Sequence, residues 1–144
     1  MSKAKVLFLC TGNSARSQMA EGYLRHAAGG EFEALSAGVE AKELNQLAVE
    51  AMREIGIDIS RQTSKNVEQF LGQKIAYVVT VCDNARQRCP IFPGTYKSLH
   101  WSLADPAEAT GSHEEKLAVF QRVRDEIAKR IEQELLPLTA NDNR

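Results

Sequence analysis

Cys10 and Arg16 are the first residues whose types and spacing suggest chemistry. They close the segment Cys10-Thr11-Gly12-Asn13-Ser14-Ala15-Arg16. It follows a strand-like run, Val6-Leu7-Phe8-Leu9, and leads into a helical pattern. A loop in that setting aims several backbone N–H groups at one point, and the helix adds the positive end of its dipole. Such a nest suits a tetrahedral oxyanion. Gly12 allows close backbone approach, and Arg16 offers a planar, permanently charged fork for two oxygens. Thr11, Gly12, Asn13, Ser14, Ala15 and Arg16 therefore form a candidate oxyanion loop with Cys10 at its base. The groups that bind an oxyanion also favour a thiolate, so the Cys10 pKa is expected to fall below the free value of ~8.5. Ser17 can donate to that sulfur. The bland alternative is a glycine-containing turn carrying a buried, inert thiol.

Two further cysteines, Cys82 and Cys89, complete a set of three. A metal site is not expected from them. The chain has no C-x-x-C pair, and His26, His100 and His113 show no ligand spacing with one another or with the cysteines. In a reducing compartment the remaining readings are inert thiols or catalytic ones.

The elements that would position these residues alternate. Strands are expected over 3–9, 32–37, 75–81 and 96–101, the third (IAYVVTV) being rich in β-branched and aromatic residues. A helix carries Met19, Ala20, Tyr23, Leu24 and Ala27 on one face and stops at Gly29-Gly30. A second starts at Asn45, carries Leu47, Ala48, Ala51, Met52 and Ile55, and ends at Gly56. A short helix is expected over 64–71. A long last helix opens on a Ser112/Glu115 capping box and repeats Leu117, Phe120, Val123, Ile127, Ile131 and Leu135. This alternation predicts a three-layer α/β sandwich with a mainly parallel sheet, and four strands of that kind can take the flavodoxin-like order of doubly wound sheets. One domain should cover residues 1–138, with a polar, frayed tail over 139–144. In that sheet order the first and third strands are neighbours, ~4.8 Å apart. Cys10 and Cys82, each directly after one of them, would then share one crevice. His100 and Trp101 read as edge packing, His26 and His113 as solvated helix residues, and the charges of 122–130 as a wet helix face.

The bulk numbers agree with one soluble domain: 144 residues, 43% hydrophobic and 26% charged, with a net charge of −1. That balance offers no broad basic field for nucleic acid or an anionic membrane. No run is long enough for a signal peptide core or a spanning helix. The expectation is a monomeric cytoplasmic protein.

Several stretches together carry a family resemblance: CTGNSARSQMAEG (10–22), SAG (36–38), VVTVCDNARQRCP (78–90), DPA (105–107) and FQRVRDEI (120–127). The chain is similar to the thioredoxin-coupled arsenate reductases, which share the low-molecular-weight protein tyrosine phosphatase fold. The resemblance implies Cys10 as nucleophile, Arg16 as oxyanion ligand and Asp105 as general acid. It also implies thioredoxin as external reductant and arsenate as substrate, with no bound cofactor. Ala15 departs from relatives that carry a further cysteine there. In some relatives, positions matching Asn13, Glu21, Ser36 and Thr63 hold potassium. Lys65 stands where those relatives have an acidic residue, and its ammonium could fill the site instead.

Reducing arsenate takes two electrons, which two thiols supply by forming a disulfide, whereas a phosphatase needs a single thiolate. A relay from Cys10 to Cys82 to Cys89 is the expected route. If 83–89 were helical, seven steps of ~1.5 Å would hold the Cα atoms of Cys82 and Cys89 ~10 Å apart, beyond the ~7 Å reach of a disulfide. That pairing therefore requires the segment to unwind, with Pro90 and Pro93 marking its end. The rivals are a phosphatase, a reductase coupled to a small thiol, and a non-catalytic oxyanion or redox sensor. Phosphatases of this fold typically place aromatic residues beside the acid loop; Asp105-Pro106-Ala107-Glu108 has none.

Overall fold

A computed structural model describes residues 3–138. The polar tail expected over 139–144 lies outside them. Four strands, β1 (Ala4–Cys10), β2 (Phe32–Gly38), β3 (Tyr77–Thr80) and β4 (Lys97–His100), form one sheet in the order β2-β1-β3-β4. Every neighbouring pair is parallel. The expected flavodoxin-like order is thus observed, and its switch point lies between β1 and β3. Five buried residues in a row, Val6 to Cys10, show that β1 is covered on both faces, as a central parallel strand must be.

The helices are α1 (Arg16–Ala28), α2 (Gln46–Arg53), α3 (Asp83–Gln87) and α4 (His113–Glu134). The Asn45 side chain caps α2 by accepting from the backbone N–H groups of Leu47 and Ala48, a contribution of about 1 kcal/mol. Gly56 follows at φ 80, a left-handed turn that a side chain would strain. The α4 capping box is present in both directions: Glu115 N donates to Ser112 Oγ at 3.1 Å, and Ser112 N to Glu115 Oε1 at 3.0 Å. Phe120, Val123, Ile127 and Ile131 form its buried stripe.

Several expectations need correction. The short helix expected over 64–71 is present but is confined to one 3-10 turn over Val67–Phe70. It is preceded by a bridge from Asn66 to Gly38, which ties the chain to the end of β2 and leaves too few residues for a longer helix. β3 and β4 are each shorter than expected. Ala27 is exposed and Ile55 lies beyond α2, so neither belongs to the core. Trp101 packs at the end of the edge strand β4, as expected, but is not exposed there: its ring is fully buried, tilted at 43° to that of Phe8 with centroids 5.9 Å apart, and it donates Nε1–H to Glu134. Arg124 is not on a wet face either: its guanidinium reaches the Ala51 carbonyl at 2.8 Å and pairs with Glu54, fastening α4 to α2.

Candidate active site

The carboxyl ends of the strands meet at one edge of the sheet. Cys10 is level with Gly38, and Leu9 with Thr80. Val81 N donates to the Leu9 carbonyl at 2.9 Å, carrying the pairing one step past β3. Cys82 therefore emerges beside Thr11. Its sulfur lies 3.3 Å from Thr11 Oγ1, and both Cys10 and Cys82 are buried, free thiols. The two cysteines thus end neighbouring strands at the same edge of the sheet.

Asn13 organises the loop. Its φ of 50 is the only positive value on a non-glycine among the described residues, a conformation that asparagine tolerates better than most. Its N–H donates to Cys10 Sγ at 3.1 Å and its Nδ2 to Ser17 Oγ at 2.7 Å. Its carbonyl accepts from Gln18 Nε2 and Ser64 Oγ, and its Oδ1 from the Lys65 backbone N–H. Ser17 Oγ lies 2.8 Å from Cys10 Sγ. Gln18 and Ser64 were not singled out by sequence, because a polar residue that supports a loop has no motif of its own. No side chain caps the N-terminus of α1, so none competes with an anion for its first N–H groups.

The segment from Gly38 to Asn45 fixes the shape of the loop. The loop after β2 runs alongside it: Val39, Glu40, Lys42 and Asn45 donate backbone N–H groups to the carbonyls of Cys10, Thr11, Gly12 and Ser14. Gly38 permits that approach, since a Cβ there would lie 2.6 Å from the Thr11 carbonyl oxygen and 2.9 Å from Asn13 N. Those contacts are with backbone and cannot be relieved by a rotamer change. Gly38→Ala is expected to destabilise the protein by about 3 kcal/mol and to lower oxyanion affinity. Thermal denaturation with and without phosphate would show both effects; an unchanged midpoint would mean that the loop has room to shift.

Burial pushes the Cys10 thiol up, against the opposing pull of the Ser17 and Asn13 hydrogen bonds and the Arg16 charge. This corrects the expected low pKa. The donors are in place, but desolvation of a sulfur with almost no exposed surface outweighs them. Arg16 Nη1 donates to the Leu103 carbonyl at 3.1 Å, and Nη2 stands 3.6 Å from Asp105 Oδ2. The arginine thereby joins the oxyanion loop to the Asp105 loop. Asp105 is one-third exposed, and its Oδ1 accepts from Ala107 N, capping the 3-10 turn Pro106–Glu108.

Cys82 is the N-cap residue of α3, its sulfur accepting from Ala85 N at 3.4 Å. α3 is five residues long, shorter than the expected helix, and Cys89 lies just beyond its Arg88 C-cap. Cys89 is half-buried, and that burial pushes its thiol up. Both ends of α3 are fastened: Asp83 to His100, whose other ring nitrogen meets Thr80 Oγ1 at 2.7 Å, and Arg88 to Glu40. His100 is thus a tie to this helix as well as a strand-end residue.

The four residues considered for potassium sit together. Ser36 Oγ donates to Glu21, and Lys65 Nζ lies 3.5 Å from Glu21 Oε1 and on the Thr63 carbonyl. Arg25 pairs with the other Glu21 oxygen. Asn13 Oδ1 is already taken by the Lys65 N–H. Two cations on one carboxylate leave this donor set ill-suited to a metal ion. No cluster of three or more His, Cys, Asp or Glu side chains that could hold a metal occurs among the described residues.

The profile of the low molecular weight phosphotyrosine protein phosphatases matches residues 5–143. The chain belongs to this family. Among curated relatives, an arsenate reductase of Halalkalibacterium halodurans is 55% identical over 131 residues, covering 91% of this chain and 94% of the relative. A solved arsenate reductase in the phosphate-binding state superposes with a TM-score of 0.72 at 32% identity, covering 96% of this chain and 98% of that one. A thioredoxin-dependent arsenate reductase from Corynebacterium glutamicum gives 0.70 at 32% identity, over 97% of this chain and 63% of the other. Within the family, this protein thus groups with arsenate reductases, and no described helix is long and apolar enough to cross a membrane.

Proposed function

We propose that this protein reduces arsenate to arsenite through a Cys10–Cys82–Cys89 relay recharged by thioredoxin, as a cytoplasmic detoxifying enzyme that works as a monomer without a bound cofactor. The observation that carries the reading is the second sulfur: Cys82 Sγ touches Thr11, the residue next to the nucleophile. Phosphate ester hydrolysis would leave that thiol without work.

Arsenate settles in the loop against the N–H groups of α1 and the Arg16 guanidinium. The Cys10 thiol gives its proton to a substrate oxygen. The thiolate forms an S–As bond, and an oxygen leaves as water with a proton from Asp105. The Cys82 thiolate then attacks Cys10 Sγ. The S–As bond breaks, its electron pair stays on arsenic as arsenite, and a Cys10–Cys82 disulfide remains. Cys89 attacks Cys82 Sγ, releasing the Cys10 thiolate and moving the disulfide to Cys82–Cys89. Two thioredoxin thiols reduce that bond. The same loop, acid and nucleophile would hydrolyse a phosphate monoester slowly.

Arsenite formation measured under three regimes tests this: with a complete thioredoxin system, with a small thiol alone, and with neither. Sustained turnover is expected only in the first. Equal turnover with the small thiol alone would remove the need for Cys89 and overturn the relay.

A further inference from the structure

We infer that Asn84 is a positioning residue for the second sulfur, because it fixes the direction in which the Thr11 hydroxyl gives its only hydrogen. The inference rests on the reading of Cys82 as the attacking thiol. A hydroxyl has one hydrogen and two acceptor positions. Thr11 Oγ1 has two polar side-chain contacts: Asn84 Nδ2 at 2.9 Å and Cys82 Sγ at 3.3 Å. The amide nitrogen of Asn84 only donates, so Thr11 Oγ1 accepts from it. A Cys82 thiol could still donate to the second acceptor position of Thr11, but a Cys82 thiolate has no hydrogen to give and receives the one on Thr11.

A sulfur that receives a hydroxyl hydrogen is favoured as thiolate. The Ala85 N–H reaches the same sulfur at 3.4 Å. The first turn of α3 thus serves Cys82 twice, directly through Ala85 and by way of Thr11 through Asn84. Asn84 is exposed and is the second residue of α3, so its substitution leaves the core intact. Unwinding α3 would withdraw Asn84 and Ala85 together. The sulfur would lose its donors at the stage when it becomes the electrophile attacked by Cys89.

Two substitutions distinguish this role from a structural one. In Asn84→Ala, water can replace the amide and leaves the Thr11 hydrogen free to turn either way. In Asn84→Asp, the carboxylate accepts that hydrogen and draws it away from Cys82. A structural role predicts the opposite ranking, since an acidic residue in the first turn favours a helix. The test uses the full chain carrying Cys10→Ser and Cys89→Ser, with Cys82 as the lone thiol. Its thiolate content, read by ultraviolet absorbance at one fixed pH, and its alkylation by iodoacetamide are expected to fall about threefold in Asn84→Ala and about tenfold or more in Asn84→Asp. With all three cysteines restored, single-turnover arsenite release should slow in the same order. An Asn84→Asp protein as reactive as its parent would overturn the inference. Arsenite release from Cys82→Ser would instead end the relay reading itself, whereas an inactive Cys82→Ser with a flat Asn84 series would end only the role of Asn84.

Discussion

Cys89→Ser is expected to release about one arsenite per enzyme molecule and then stop, while Cys82→Ser releases none. The electron count requires this pattern. Cys10 and Cys82 together hold the two electrons that one arsenate needs, and their placement on one crevice lets the first disulfide form without help from Cys89. The Cys89→Ser protein would therefore accumulate as a Cys10–Cys82 disulfide, visible as a two-proton mass loss, with its nucleophile consumed. Cys82→Ser retains the loop, Arg16 and Asp105, and should still cleave a phosphate ester slowly. Arsenite measured against enzyme concentration in the presence of thioredoxin settles the point. Continued turnover by Cys89→Ser would mean that thioredoxin attacks the first disulfide directly, and the third thiol would lose its role.

The shuttle also demands movement, and the structure shows where it can occur. α3 has five residues, far below the length at which a helix is stable by itself. It is held by the buried Ala85 and by ties from Asp83 to His100 and from Arg88 to Glu40, ion pairs at the surface that are individually weak. Cys89 stands past the far end of this helix with its thiol pushed up by partial burial. Unwinding α3 would bring Cys89 toward Cys82 and into water, which makes its thiolate easier to form. Geometry and reactivity change together in one local opening.

The parallel α/β class was legible in the sequence because it follows from alternation, and the neighbouring positions of Cys10 and Cys82 followed from where buried strands end once a flavodoxin-like order was assumed. The capping residues Asn45 and Ser112 were legible for the same kind of reason, since a cap is a local hydrogen bond with its own residue signature. The support of the loop was not. Gly38 is constrained by the Thr11 and Asn13 backbone, and Gln18, Ser64 and Lys65 converge on Asn13 from segments up to 52 residues away. Those are tertiary contacts with no periodicity to reveal them. The direction of the Cys10 shift was misread for a related reason. A motif displays its donors, whereas the burial that opposes them depends on the whole fold. Trp101 likewise lay at the end of a strand that sequence alone could not place against Phe8.

Arg16→Lys should lower kcat/KM for arsenate by about 10³-fold while keeping the fold. The charge survives in this variant and the geometry does not, which makes it more informative than removal of the side chain. One guanidinium donates to the Leu103 carbonyl at 3.1 Å and stands 3.6 Å from Asp105, with a planar fork that can also grip two substrate oxygens. A single ammonium on a flexible stem cannot satisfy the buried carbonyl, the carboxylate and the anion together. The loss of the Leu103 bond should cost about 1–2 kcal/mol of stability, measurable as a drop of a few degrees in the thermal midpoint. The larger loss should fall on turnover, because Asp105 would no longer be held near the oxygen it must protonate. If the lysine protein instead retained activity within about tenfold, Arg16 would be acting as a point charge. Its link to the Asp105 loop would then be incidental to the chemistry.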